Sequence, residues 1–326
     1  MATLFLTEEE VEGLLPMRDA LPAVEEALRA LGRGEAVNRP RQRVKLPGTV
    51  LHVMAAGWPE RGYLGFKYYT ATRKGVRFWF HLVDGNTGEL VAIMEADRLG
   101  QQRTGATSGV ATKYLAREDA SVAGIVGTGW QAESQLMGVC AVRPIRHVRC
   151  YSRDASHRKT FARKMSPQLH LDVTPAASAE EAIRDADVVV AATTAKDPVV
   201  RGEWLKPGCH VNAIGANRAE VREADDEAIR RSTFIAVDSK EQAQAEGGDL
   251  IEPVAHGILS WDRVRELGDV VAGKARGRVR SEDITLFKSL GIAIEDVAVG
   301  ALVYERARDR GIGRTIPLGD SHFRDA

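Results

Sequence analysis

The sequence contains few cysteines and no recognisable metal or hydrolase motif. Its three cysteines, Cys140, Cys150 and Cys209, are odd in number and have no C-x-x-C spacing. We therefore expect neither a disulfide framework nor a structural zinc site, and a reducing cytoplasm is the predicted location. No H-E-x-x-H pattern, P-loop or Ser-His-Asp order occurs, and the eight histidines are scattered along the chain. The sequence therefore predicts no bound metal.

Long apolar runs and an excess of either charge are also missing. No segment approaches the roughly 20 apolar residues that span a bilayer, and the first residues turn acidic at Glu8 without a basic leader. The 45 basic and 45 acidic residues give a net charge of zero, which removes any general attraction to nucleic acid or anionic lipid. We therefore expect neither nucleic acid nor a membrane as a partner.

The first third of the sequence predicts two helices followed by a mostly antiparallel sheet. Thr7-Glu8-Glu9-Glu10 has the form of a capping box, and a helical stripe from about Met17 to Leu31 follows it. Apolar residues then alternate with period two in five consecutive segments, which are residues 41–46, 49–54, 63–71, 76–83 and 89–94. Neighbouring strands of this kind, joined by turn residues, are typical of antiparallel pairing.

From Ser121 onward, short apolar strands alternate with helical segments. The strands are predicted at residues 121–127, 147–153, 169–175, 187–194, 209–215 and 233–239. This alternation indicates βαβ units in a doubly wound parallel sheet. A long final helix is predicted from about Thr285, because Leu286, Leu290, Ile294 and Val297 share one stripe.

The predicted fold class is therefore α/β, with two domains. Residues 116–289 are expected to form a Rossmann-type domain around the parallel sheet. Residues 1–115 together with 290–326 are expected to form a mainly antiparallel α+β domain for substrate binding and dimerisation.

The segment from Val122 to Ser134 carries the dinucleotide fingerprint G-x-G-x-x-A in Gly127, Gly129 and Ala132. It follows an apolar strand and opens a helix at the head of the βαβ series, which is the context that the motif requires. The first glycine allows a tight turn, the second lets a pyrophosphate approach the backbone, and the alanine lets helix and strand pack closely. The helix N-terminus then offers N–H groups to the phosphates. We predict dinucleotide binding, with a purely structural glycine turn as the alternative.

The end of the second strand of this series bears on the choice of cofactor. An acidic side chain there would accept hydrogen bonds from the ribose, whereas Ser152 and Arg153 suit a 2′-phosphate, which a guanidinium binds bidentately. Asp154 has two interpretations, as a ribose ligand or as the cap of the next helix. NADP(H) is therefore favoured, and NAD(H) is the alternative.

Four basic residues ahead of the fingerprint are candidates for anion binding. Arg41 and Arg43 alternate on one strand face, as in a carboxylate clamp or, more commonly, a solvated sheet face. Lys67 interrupts an apolar strand, where burial would lower its pKa, unless it reaches solvent from a sheet edge. Arg103 precedes a helix of small residues predicted over Ala106 to Ala116, and it either faces an anion there or pairs locally.

Six further segments occur in a specific order. They are GFK at 65–67, QRTGA at 102–106, GIVGTGWQA at 124–132, GEWLKPG at 202–208, VNAIGA at 211–216 and DITLFKSLG at 283–291, followed by Glu295-Asp296. Together they make the chain resemble the ornithine cyclodeaminase/mu-crystallin family nearly end to end. The resemblance implies a homodimer whose antiparallel sheet forms both the interface and the floor of the substrate site, with the last helix returning to that domain.

The resemblance also assigns roles to individual residues. It implies that the substrate carboxylate is bound by Lys67, by Arg103 and by a strand arginine, which is either Arg41 or Arg43. It implies cofactor contacts from Thr104, Thr128, Gly129, Gln131, Thr193, Ile214 and Ser289. With Gly127, Ala132, Ser152, Arg153 and Gly215, these residues make up the predicted cofactor site.

One position departs from the pattern of the family. Ornithine cyclodeaminases and archaeal alanine dehydrogenases have an aspartate just after the fifth strand, where this chain has Asn217. An amide can orient an amine but cannot exchange a proton as a general base, so that Lys67 or water would have to supply the proton. The predicted catalytic residues are therefore Lys67 and Asn217.

The departure favours an NAD(P)H-dependent oxidoreductase acting on the C–N bond of a small imino or amino acid, similar to the ketimine reductases of the family. One alternative is an ornithine or lysine cyclodeaminase, which uses bound NAD+ and releases ammonia. The other is a non-catalytic protein that binds NADPH, as mu-crystallin-like members can be.

Overall fold

The first of two sheets is built mainly from the N-terminal part of the chain, and the computed structural model describes residues 3–318. Its strands are β1 (Thr3–Leu6), β2 (Val37–Leu46), β3 (Thr49–Trp58), β4 (Tyr63–Thr72), β5 (Gly75–Asp84), β6 (Leu90–Glu95) and β15 (Arg314–Ile316). Their spatial order is β15-β1-β6-β5-β4-β3-β2, and all neighbours are antiparallel except β1 and β6. The five strands predicted from alternation are confirmed, whereas β1 and β15 are too short for alternation to reveal them.

Four helices accompany this sheet: α1 (Glu8–Leu14), α2 (Met17–Arg33), α3 (Asp97–Leu115) and α11 (Ala293–Arg310). The predicted capping box is confirmed, because the Thr7 hydroxyl accepts from the Glu10 N–H while the Glu10 carboxylate accepts from the Thr7 N–H. Helix α11 packs on β3 and β4, so that residues 293–310 return to the first sheet.

The second sheet is parallel throughout. Its strands are β7 (Val122–Val126), β8 (His147–Tyr151), β9 (Asp172–Pro175), β10 (Val188–Ala191), β11 (His210–Ala213), β12 (Ser232–Val237), β13 (Val264–Glu266) and β14 (Ile284–Lys288). The connecting helices are α4 (Trp130–Val142), α5 (Ala155–Leu169), α6 (Ala179–Ile183), α7 (Asp226–Arg231), α8 (Lys240–Glu246), α9 (Gly248–Ala255) and α10 (Leu267–Val271).

The order of the parallel strands, β13-β12-β14-β11-β10-β7-β8-β9, confirms the α/β Rossmann-type prediction. Strand β7 lies between β8 and β10, so that the direction of winding reverses beside it. In sheets of this type, ligands bind at the carboxyl ends of the strands next to such a reversal. The fingerprint follows β7 directly and therefore lies at this point.

Two predicted helix boundaries are wrong. Residues 284–288 form β14 between β11 and β12, and the last helix begins only at Ala293. Every residue of β14 is buried, and a strand with two buried faces cannot be distinguished from a helix by apolar spacing. Helix α3 begins at Asp97 rather than Ala106, because its polar first turns conceal the apolar stripe; Arg103 and Thr104 therefore lie within the helix.

None of the helices in residues 3–318 has the length and apolar character needed to cross a bilayer.

Candidate active site

A cavity of about 1010 Å³ lies between the first sheet and the carboxyl ends of the parallel strands. A volume of this size is large enough for a small substrate beside part of a cofactor. The predicted site residues that line it are Arg41, Arg43, Lys67, Arg103, Thr104, Gly129, Gln131, Thr193, Ile214, Gly215, Asn217 and Ser289. The fold therefore brings the predicted anion-binding residues together with one part of the predicted cofactor site. The predicted residues outside the cavity lining are Gly127, Thr128, Ala132, Ser152 and Arg153.

The loop between β7 and α4 has the geometry of a phosphate cradle. Gly127 has φ +99°, and a Cβ there would collide with the Ala192 carbonyl oxygen. A Cβ on Gly129 would meet no atom within 4 Å, so this backbone is open to a ligand. No side chain of the described residues caps α4 at Gly129, which leaves the helix N-terminus free to bind an anion. Ala132 is fully buried, as close helix–strand packing requires.

The end of β8 lies beside this loop. The Thr128 hydroxyl donates to the Ser152 hydroxyl at 2.8 Å. Asp154 caps α5, since its Oδ1 accepts from the N–H groups of Ser156 at 2.7 Å and His157 at 3.1 Å. Hydrogen bonds from Ser156 and His157 lower the pKa of Asp154 to about 2. Of its two interpretations, the helix cap is the one observed.

Lys67 is buried near the middle of the first sheet, on β4 between β3 and β5, and only 1% of it is exposed. The alternative of a lysine reaching solvent from a sheet edge is therefore wrong. Its Nζ lies 3.0 Å from Oδ1 of Asp296 and 4.9 Å from the ring centre of Phe78. Burial lowers the pKa of Lys67 to about 8, although the charge of Asp296 opposes the shift. Asp296 is its one acceptor among the described residues, which leaves two ammonium protons unused.

Arg103 reaches the same cavity from α3 and is bound from α11. Its Nε donates to Oδ1 of Asp296 at 3.1 Å, and its Nη1 donates to Oε2 of Glu295 at 2.7 Å. Burial alone would lower the pKa of Arg103, but Asp296 and Glu295 raise it, so this residue stays charged. Within residues 3–318, Nη2 makes no hydrogen bond, and it remains available to an anion.

Arg41 and Arg43 share one carboxylate, Glu246 of α8. Nη1 of Arg41 lies 2.9 Å from Oε1, and Nη2 of Arg43 pairs with Oε2. Arg41 is buried, its Nη2 donates to the Leu290 carbonyl at 2.5 Å, and its Nε has no partner among the described residues. Arg43 is partly exposed and donates to the Asn217 carbonyl at 3.2 Å.

The two arginines differ, because Arg41 is buried and has an Nε without a described partner, whereas Arg43 is partly exposed. The charges of Arg103 and Arg41 both contribute to the lowered pKa of Lys67, and all three residues line the same cavity. Nε of Arg41, the ammonium of Lys67 and Nη2 of Arg103 are the unused donors of this group. A carboxylate is the ligand that such a set of charged donors binds best.

An aromatic wall continues from this group along β3, β4 and β5. His52 stacks on Tyr69 with ring centres 4.2 Å apart, and Phe78 lines the cavity beside them. Burial lowers the pKa of His52 to about 4, and the charges of Arg43, Arg41 and Lys45 act in the same direction. The wall therefore carries a neutral imidazole in a cationic surrounding.

Comparison with known proteins identifies the family. The model of the ornithine cyclodeaminase/mu-crystallin family matches residues 1–311. The chain belongs to this family. Alanine dehydrogenase of Archaeoglobus fulgidus is 38% identical to it, over 97% of this chain and 98% of that protein. Δ1-pyrroline-2-carboxylate reductase of Bacillus cereus is 37% identical, over 97% of this chain and 93% of that protein.

Solved structures of the ornithine cyclodeaminase/mu-crystallin type share the whole fold. Δ1-pyrroline-2-carboxylate reductase of Thermococcus litoralis, in complex with NADH and L-proline, matches with a TM-score of 0.93 and 36% identity. The match covers 96% of this chain and 100% of that chain. An archaeal alanine dehydrogenase dimer with bound NAD matches with a TM-score of 0.92 and 36% identity, over 98% and 100% of the two chains.

Three hydroxyl groups that are predicted to contact the cofactor donate their protons to acceptors within the protein. Thr104 donates to the Gly100 carbonyl at 2.6 Å, Thr193 to Glu223 at 2.8 Å, and Ser289 to Asp238 at 3.2 Å. Each oxygen can still accept a hydrogen bond, whereas it has no proton left to donate. These residues therefore suit a donor such as the amide N–H2 of a nicotinamide.

Two buried glutamates that support the site could not be recognised from the sequence. Glu246 holds Arg41 and Arg43, and Glu223 holds the loops beside the cavity. Neither interrupts an apolar run in the way that Lys67 does, so no local signal distinguishes it from a surface glutamate. Only the partners, which are distant in sequence, reveal the role.

Proposed function

We propose that the protein is an NAD(P)H-dependent oxidoreductase that acts on the C–N bond of a small α-imino or α-amino acid. The observation that carries this proposal is the set of unused donors on Arg41, Lys67 and Arg103, three residues that line the same cavity as the open backbone of Gly129. A substrate carboxylate on these cations would lie beside a dinucleotide on the glycine loop. The names of the relatives at 37% and 38% identity support the same chemistry.

The residues of this chain would contribute mainly binding and proton supply. The bound nicotinamide supplies the hydride that reduces the imine carbon. Lys67, Arg103 and Arg41 hold the carboxylate, so that the C=N carbon is oriented toward that hydride. The nitrogen takes one proton as the C=N bond becomes CH–NH. Lys67, with a pKa of about 8, is mostly protonated at neutral pH and can provide it.

Asn217 lines the cavity and supports reduction over cyclodeamination. Its amide can orient the substrate nitrogen but cannot remove a proton from an amine. The cationic surrounding of His52 would also repel the second ammonium group of ornithine or lysine. We therefore place an imine reductase ahead of a cyclodeaminase.

We further propose a preference for NADP(H), with use of NAD(H) as well. Arg153 is exposed beside Ser152 and makes no hydrogen bond or ion pair within residues 3–318. Asp154 is engaged as a helix cap, which leaves the guanidinium to meet a 2′-phosphate. The relatives solved with NADH or NAD support binding of the unphosphorylated cofactor.

We also propose a homodimer formed through the outer face of the first sheet. Leu64 and Phe66 lie on the face of β4 opposite to Lys67, and they are 49% and 36% exposed. The ring of His81 stacks on that of Phe66 with centres 4.5 Å apart. An exposed apolar face of this kind suits a protein interface, and the solved alanine dehydrogenase relative is a dimer. Light scattering should give about twice the chain mass of 35.5 kDa. Phe66→Asp should shift the protein toward the monomer, and a monomeric wild type would refute the dimer.

The activity is tested by following NADPH and NADH oxidation with several imines. Δ1-pyrroline-2-carboxylate, Δ1-piperideine-2-carboxylate and pyruvate with ammonium cover the cyclic and open-chain classes. Turnover with at least one of them is expected. Absence of turnover with all three, for protein that binds the cofactor, would overturn the proposal and favour a non-catalytic binding protein. Release of ammonia from ornithine without net NADH formation would instead restore the cyclodeaminase.

A further inference from the structure

A single buried carboxylate joins two loops at the edge of the cavity. Oε1 of Glu223 accepts from the N–H of Thr193 at 2.7 Å and from its hydroxyl at 2.8 Å. Oε2 accepts from the N–H groups of Gly215 at 2.5 Å and Ala216 at 3.3 Å. Each oxygen therefore serves a different loop.

The two loops follow neighbouring strands of the parallel sheet. Thr193 comes after β10 and Gly215 after β11, and these strands pair up to Ala191 and Ala213. Beyond that point the strand ladder no longer joins them. The loops nevertheless remain in contact, because a Cβ on Gly215 would collide with the Thr193 carbonyl oxygen. Glu223 takes over the connection where the sheet ends.

Glu223 is itself fixed from behind by a second buried pair. Oδ1 of Asp249 accepts from the N–H groups of Glu223 at 2.6 Å and Ala224 at 2.8 Å. Oδ2 of Asp249 lies 2.9 Å from Nζ of Lys288, which also donates to the Ala213 carbonyl at 3.3 Å. Glu223, Asp249 and Lys288 are all fully buried. Buried charges are costly unless they are paired and hydrogen-bonded, and this group meets that condition.

We propose that Glu223 is a positioning residue for hydride transfer, because it sets the separation of the loops that carry Thr193 and Asn217. The inference rests on the proposed function, since those loops line the cavity where cofactor and substrate would meet. A shift of either loop would move the surface formed by Thr193 and Ile214 relative to the side chain of Asn217. Cofactor affinity and the rate of hydride transfer would then change together.

Asp187 provides a matched control at the opposite end of the same parallel strands. It is a buried carboxylate ahead of β10 that accepts from the N–H groups of Ser121 at 2.9 Å and Val122 at 3.0 Å. It also pairs with Lys206 at 2.8 Å. Its loss should weaken the fold in the same way as the loss of Glu223, but it lies at the amino ends of the strands, away from the cavity.

The experiment compares Glu223→Gln, Glu223→Asp and Asp187→Asn with the wild type. NADH fluorescence titration gives the cofactor Kd, single-turnover mixing with Δ1-pyrroline-2-carboxylate gives the hydride-transfer rate, and thermal melting gives stability. In Glu223→Gln one oxygen is replaced by an amide N–H2, which cannot accept the hydrogen bonds of the loop that it faces. That loop should shift, so we expect weaker NADH binding. Hydride transfer should fall about 100-fold, as a misplacement of about 1 Å can cause. Asp187→Asn should lower Tm with little change in Kd or rate.

Each outcome bears on the proposal. Wild-type Kd and rate in a folded Glu223→Gln protein would overturn it, as would equal losses in Glu223→Gln and Asp187→Asn. If Glu223→Gln does not fold, Glu223→Asp decides, because the shorter side chain cannot reach both loops; wild-type behaviour of that variant would also overturn the proposal. A wild type that binds no NADH or NADPH would refute the proposed function itself, whereas an active wild type with indifferent variants refutes only the role of Glu223.

Discussion

Lys67 and Asp296 form a buried ion pair of 3.0 Å between β4 and α11. The same carboxylate oxygen accepts from Nε of Arg103 at 3.1 Å. One aspartate therefore holds two of the cations that we assign to the substrate carboxylate. Because it engages only part of each cation, it fixes their positions and leaves donors free for a ligand.

Asp296→Asn is expected to move the alkaline limb of the pH–rate profile. Asp296 raises the pKa of Lys67 against the lowering effect of burial, which gives about 8. Without the charge of Asp296 the pKa of Lys67 falls, so that Lys67 loses its proton at a lower pH. The decline of kcat/KM for the imino acid at alkaline pH should therefore begin at a lower pH than in the wild type. The check is kcat/KM between pH 6 and 9 at saturating cofactor. Glu305→Gln, which removes a partly exposed carboxylate from the same helix, should leave the alkaline limb at the wild-type pH.

Arg41→Lys and Arg43→Lys should separate the two strand arginines. Both variants keep a positive charge beside Glu246, but lysine lacks the planar fork that binds a carboxylate. Arg41→Lys should raise KM for the imino acid by about 10-fold to 100-fold, as expected for loss of a charged hydrogen bond. Arg43→Lys should have a smaller effect, because Arg43 is partly exposed and its described donors go to Glu246 and the Asn217 carbonyl. A larger rise in KM for Arg43→Lys would reverse the assignment.

A functional residue is recognisable from the sequence where it breaks its local pattern or belongs to a motif. Lys67 is recognisable as a site candidate because it breaks an apolar strand, and Gly127 because it belongs to a glycine fingerprint that follows one. The strands of the first sheet followed from alternation. By contrast, the apolar spacing of β14 also fits a helix, because every one of its residues is buried and no period of two is visible.

Contacts between distant segments could not be derived in this way. Glu246 binds Arg41, which lies 205 positions earlier, and nothing in the polar segment around Glu246 predicts that pairing. The choice between Arg41 and Arg43 was open for the same reason, because both side chains share one strand and only their partners differ. The packing of α8 against β2 brings these partners together.

Arg153→Ala tests the preference for the phosphorylated cofactor. The guanidinium is exposed and engages no described residue, so its removal should disturb little of the fold. The Kd of NADPH should rise about tenfold, in line with loss of one charge-assisted hydrogen bond, while that of NADH stays unchanged. Arg163→Ala, which removes another exposed cation from α5, controls for a general change in surface charge. Equal shifts for NADPH and NADH would argue against a 2′-phosphate contact.

Asn217→Asp should add a general base for the oxidation of an amino acid. The carboxylate would stand at the edge of the cavity, on the loop that Glu223 holds, where it can take a proton from a substrate amine. Oxidation of L-proline or L-alanine, followed as NADH formation, should therefore accelerate by at least about tenfold, because a positioned general base contributes at least that much. The gain in kcat/KM should disappear at low pH as the new carboxyl group protonates, and kcat/KM for imine reduction should rise by the same factor, because a catalyst leaves the equilibrium constant unchanged. Asn217→Ala distinguishes the added base from simple loss of the amide. If Asn217→Asp and Asn217→Ala oxidise the amino acid equally slowly, position 217 does not face the reacting nitrogen, and the proton passes by way of Lys67 or water alone.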